Sequence, residues 1–151
     1  MADGSPRSLQ LFGDCIAVML NDGILTREER RLITVLSRDL NMKDGEPLEV
    51  YEAIRDGKEI KGGVELSRDN QLSTYQNVYE VALVGTLSHD EWRLLAYLRK
   101  RFDIDDEEHK NIEDSLRNAV QERYEPKVVD RLLNTLEDSV STITRMIGKI
   151  F

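Results

Sequence analysis

Asp22-Gly23-Ile24-Leu25-Thr26-Arg27-Glu28-Glu29 sets three carboxylates and a hydroxyl around a glycine turn. The spacing matches the second half of an EF-hand loop. There glycine makes the sharp bend, an aliphatic residue follows two positions later, and a glutamate six positions later chelates through both oxygens. Asp22, Thr26 and Glu29 are therefore the candidate metal ligands, for a divalent cation of the calcium type. Calcium takes roughly six to eight oxygens, and the first two ligand positions on this register are the apolar Val18 and Leu20. Thr26 and Glu29 also spell a capping box, in which the hydroxyl accepts from the Glu29 amide and the carboxylate reaches back to the Thr26 amide. The pattern predicts a well-capped helix start before it predicts an ion loop.

Other groups that could do chemistry have simpler readings. The acidic run Asp103, Asp105, Asp106, Glu107 and Glu108 precedes a helix, where negative charge suits the positive end of the dipole. His89 falls in a first helical turn and His109 in a charged run, so both read as surface residues. Gly62-Gly63 lacks a following Lys-Ser/Thr pair and reads as turn chemistry. No nucleophile-elbow, zinc-protease or dinucleotide-binding motif occurs. The expectation is a non-enzymatic chain with no cofactor, unless a divalent cation binds at Asp22.

The elements that position these residues follow from an internal repeat. Asp22–Ile33 recurs 62 residues later as Val84–Leu95, and the match extends to Ile54 and Leu116. Gly23/Gly85, Leu25/Leu87, Glu29/Glu91, Leu32/Leu94 and Leu36/Leu98 are identical pairs. Ser88-His89-Asp90-Glu91 repeats the capping box, and Leu87 with Trp92 adds a hydrophobic staple. Valine replaces the acid at position 84, so a metal belongs to the first copy if to either.

The predicted fold is all-α: a compact helical bundle of two tandem three-helix repeats, about 9–55 and 71–119, plus a long C-terminal helix. The helical domain spans 5–122. Ser5-Pro6 is the expected cap of its first helix, which runs to about Asn21. Third helices cap near Asp44 and Asp105, and the second repeat opens near Gln71. The segment 56–70 carries the turn signals Asp56-Gly57 and Gly62-Gly63 and is expected to be the longest, most mobile loop.

Charge narrows the partners. The net charge is -8; residues 1–119 carry 16 Lys/Arg against 24 Asp/Glu, and residues 120–151 carry 5 of each. An acidic body repels phosphate backbones, so no nucleic-acid partner is expected. The single cysteine, Cys15, sits among apolar neighbours and reads as core. No long apolar stretch spans a bilayer, and the polar start MADGSPRS is no signal peptide, so a cytoplasmic location is expected.

Asp-Gly-x-Leu-Thr-x-Glu-Glu at 22–29, followed by an amphipathic helix and the exit Leu40-Asn41-Met42, resembles the TerB-like family. That family includes the tellurite-resistance protein TerB and the N-terminal domain of the co-chaperone DjlA. The similarity covers about Leu9–Ala119 and is best over Asn21–Met42 and Val84–Ile104. It implies a compact all-α bundle with a stress-linked role in protein interaction, often near membrane complexes, and no enzymatic activity. Members read Ala-Asp-Gly at the turn; here the turns read Asn21-Asp22-Gly23 and Leu83-Val84-Gly85. No J-domain is present, so a direct co-chaperone role is not implied.

The C-terminal amphipathic helix, 126–151, carries Val129, Leu132, Leu136, Val140, Ile143, Ile147 and Ile150 at steps of three and four. So continuous a stripe requires cover. The body, a second copy or partner protein, or a membrane surface could supply it. Leu132, Leu136, Val140, Ile143, Ile147 and Ile150 are thus the candidate interface for a protein partner or homodimer. Arg145 and Lys149, with no acid over Val140–Phe151, give peripheral membrane contact its only support. A stripe sealed on the body would leave the inter-repeat groove as the binding candidate.

Overall fold

The structure is a computed structural model and describes residues 6–20, 25–85 and 89–150. It is an all-α helical bundle. The described residues form α1 (Ser8–Met19), α2 (Arg27–Asp39), α3 (Glu46–Arg55), α4 (Arg68–Val84), α5 (His89–Arg101), α6 (Asp106–Arg123) and α7 (Pro126–Ile150).

α1 begins later than the Ser5-Pro6 signal predicts: Ser8 is its first residue, and Arg7, with extended backbone, stands at the N-cap. Its open amides are met from afar. Ser8 N–H donates to the Val64 carbonyl at 2.8 Å and Gln10 N–H to the Gly62 carbonyl at 3.2 Å. In return the Val64 amide donates to the Ser8 hydroxyl at 2.9 Å, and Leu66 N–H donates to the Pro6 carbonyl at 3.1 Å. The first amides of a helix have no partner within it, so this loop acts as a strap that completes α1. The segment expected to be a mobile loop is therefore tied down by backbone bonds. It also ends earlier, because Ser67 caps α4 by accepting from Asn70 N–H at 3.2 Å.

The capping box forms as the spacing predicts. Thr26 Oγ1 accepts from Glu29 N–H at 3.2 Å, and Glu29 Oε1 accepts from Thr26 N–H at 2.9 Å. The matching Ser88 lies outside the described residues. The two helix exits share one geometry. Asn41 and Asp103 both take left-handed backbone, with φ 55° and 51°. Each N–H returns to a carbonyl three residues back at 3.0 Å, and the next residue's N–H bonds the carbonyl five back at 3.1 Å. Asp105 caps α6 in a second capping box with Glu108. The Asp44 cap expected for α3 is replaced by Gly45, at φ 87°, with Glu46 Oε1 accepting from Lys43 N–H at 2.7 Å.

α1 packs on α5 and α2 on α4, so the two halves interlock. From Glu29 and Glu91 onward, buried residues recur 62 positions apart: Glu29/Glu91, Leu32/Leu94, Ile33/Leu95, Leu36/Leu98 and Leu40/Phe102. In α1 and α4 they match one residue further apart: Ser8/Gln71, Leu11/Thr74, Phe12/Tyr75, Cys15/Val78, Ile16/Tyr79 and Met19/Ala82.

α7 lies against α5, α6 and α4. Leu132, Leu136 and Ile143 are fully buried there, and Met146 is nearly so. Val140 and Ile147 are half-buried, while the Ile150 side chain lies outside the described ones. This corrects the proposed partner interface. The middle of the stripe is this chain's own core, because α4–α6 supply the cover that the stripe demands. No helix among the described residues is long and apolar enough to cross a membrane.

Candidate functional site

The glycine turn supplies few ligands. Thr26 and Glu29 spend one oxygen each on the capping box, and Glu29 is buried with its Oε2 left without a partner. Asp22, the third predicted ligand, lies outside the described residues. Among the described residues no three His, Cys, Asp or Glu side chains come together as a metal group. The acidic run before α6 is spent on structure: Asp105 caps, Arg99 donates to Asp106 at 2.8 Å, and Arg68 Nε donates to Glu108 at 3.1 Å.

His109 corrects the surface assignment. It is only 1% exposed. Its Nε2 pairs with the Tyr75 hydroxyl at 2.9 Å and its Nδ1 with Glu113 Oε1 at 3.1 Å. Tyr79, whose ring packs 6.0 Å from the imidazole, bonds the Ser139 hydroxyl of α7. The sequence held the signal: 109, 112, 116 and 120 form one apolar-side stripe of α6. Tyr75 and His109 are closed to solvent, so the Tyr–His–Glu chain is a buried brace rather than a catalytic relay.

Burial holds the His109 imidazole below the ordinary histidine pKa of 6.5, against the opposing pull of its hydrogen bond to Glu113. As pH falls through the unfolded-state value, the unfolded chain takes up the proton first. Stability is therefore full above that value and lost below it. Melting temperature should fall between about pH 7.5 and 5.5, and His109→Gln should flatten that slope; an unchanged slope would contradict the assignment. Cys15 is likewise buried, and desolvation pushes its thiol up, away from reactivity.

The open site is elsewhere. Ile16 of α1, Ile33 of α2, and Pro47, Leu48 and Tyr51 of α3 line an apolar cleft of about 480 Å³ with Leu25. Leu48 is 62% exposed, an uncovered aliphatic side chain at the cleft edge. Arg30 stands on the lip. Arg27, Arg31 and Arg38 are also exposed on α2, and none of the four is in an ion pair among the described residues. Sequence reading missed this cleft, because it depends on which helix faces remain uncovered after folding. Comparison with protein-family models, curated proteins and solved structures finds no match for this chain.

Proposed function

We propose that the chain is a non-enzymatic, TerB-like protein-interaction module that takes its partner in the α1–α3 cleft, in a stress-linked role such as tellurite resistance. One observation carries this: an apolar cleft with Leu48 62% exposed at its edge and the exposed Arg30 on its lip, while Leu132, Leu136 and Ile143 of the α7 stripe are buried in the body. Apolar floors with a few polar groups on the rim are the usual form of binding sites. Leu48→Glu places a charge at the cleft edge without touching the core. It should remove specifically captured partners from a pull-down, whereas Lys110→Glu on α6 should keep them. Identical partner sets from both variants would sink the cleft's role.

A second reading, a divalent-cation sensor, draws support from the buried Glu29 Oε2 that lacks a partner. Titration with calcium or magnesium would then move the Asp22 and Glu29 amide signals specifically. Silence at millimolar metal would end that reading.

A further inference from the structure

We propose that the seam between α4–α5 and α6–α7 is an acid-sensitive joint, opened when the His109 imidazole takes up a proton at Nε2.

Polar groups of the core gather along this seam. Tyr75 and Tyr79 of α4 bond His109 of α6 and Ser139 of α7. Arg99 of α5 donates to Asp106 of α6 at 2.8 Å and to Thr144 of α7 at 3.3 Å. The two tyrosines, Arg99, His109 and Ser139 are buried. α6 and α7 pack on each other and follow one another through residues 124 and 125 alone. They can therefore part from α4–α5 as one unit, in the manner of a sub-global opening.

The proton positions follow from the partners. The Glu113 carboxylate only accepts, so Nδ1 carries the hydrogen in their 3.1 Å bond. Nε2 of the neutral ring is then bare and accepts from the Tyr75 hydroxyl at 2.9 Å. A proton on Nε2 reverses that bond. The hydroxyl must now accept, and its own hydrogen loses its acceptor, since Tyr75 has no second hydrogen-bond partner among the described residues. A buried donor left unpaired is costly. The new charge also meets the Arg99 guanidinium, which opposes it, while Glu113 and Asp106 of α6 attract it. Tyr79, whose ring lies 6.0 Å away, stays neutral because burial pushes its hydroxyl up.

Burial outweighs the attraction and holds the closed-state imidazole below 6.5. When the seam opens, water replaces Tyr75 and that penalty is lost. The open form therefore binds the proton more tightly, and falling pH shifts the population toward it. Opening bares Tyr79, Leu132, Leu136 and Ile143, all sealed in the closed form.

The test is amide hydrogen exchange on the full chain at pH 7.5 and 5.5, read as protection factors so that the intrinsic pH dependence of exchange cancels. Protection of α6–α7 should fall several-fold more than that of α2–α3, with about ten-fold as the ceiling for one proton of ordinary open-state pKa. His109→Gln keeps a donor for Glu113 and an acceptor for Tyr75, and should abolish the difference. Glu113→Gln removes a charge that favours the imidazolium and should enlarge it; a merely structural loss would lower protection equally at both pH values. Equal losses in α2–α3 and α6–α7 would mean that acid unfolds the chain as a whole, and would overturn the proposal. A seam response that survives in His109→Gln would overturn it too, because His89 and the carboxylates are kept in that variant. If His109→Gln does not fold, Glu113→Gln decides: an unchanged or smaller difference defeats the proposal.

Discussion

Leu136→Ala is expected to lower the folding free energy by about 2–5 kcal/mol, read by urea denaturation followed by circular dichroism. Leu136 is 0% exposed and belongs to the central cluster of buried residues. It lies one turn before Ser139, whose hydroxyl donates back to the Leu136 carbonyl at 2.6 Å and also bonds Tyr79. Truncation there leaves a cavity between α7 and the body that the helix cannot close without disturbing that polar contact. Val140→Ala, on the half-buried edge of the same stripe, should cost clearly less. Equal small losses at both positions would mean that α7 does not form part of the core.

Gly63→Ala is the second large effect, at about 3 kcal/mol. Gly63 sits at φ +96°, and a Cβ there would lie 2.4 Å from both the Leu9 amide nitrogen and the Ser8 hydroxyl. Neither atom can move cheaply, because the Ser8 amide and hydroxyl are bonded to Val64. The substitution must therefore break the strap's grip on α1 or strain it. Gly57 has a similar φ of +80° but open space around its Cβ. Gly57→Ala should cost only the backbone strain, about 1 kcal/mol. If the two alanine variants were equally stable, the strap would not hold α1 as described.

The helical bundle was legible because its signals are local. Three- and four-residue spacing marked the core of α2, α5 and α6, and Thr26-x-x-Glu29 marked a cap that forms with both hydrogen bonds. His109 shows how a local signal can be outvoted: its charged neighbours suggested surface, although it shares the register of Ile112, Leu116 and Val120. The strap could not be read, since Gly62-Gly63 announces a turn but not its partners 56 residues away at Arg7 and Ser8. The α7 stripe told that cover was needed and not where it lay. The cleft was illegible for the same reason in reverse. Pro47, Leu48 and Tyr51 carry ordinary helical spacing, and only the packing shows that Leu48 is left 62% exposed beside the buried Ile16 and Ile33.

The central claim is that the accessible apolar surface lies in the α1–α3 cleft and not on α7. Methyl relaxation by a soluble paramagnetic probe tests it most directly. Strong relaxation of the Leu48 methyls and measurable relaxation at the cleft lining, with Leu132, Leu136 and Ile143 shielded, is the predicted result. Exposed α7 methyls and a shielded Leu48 would contradict it and return the interface to the C-terminal helix.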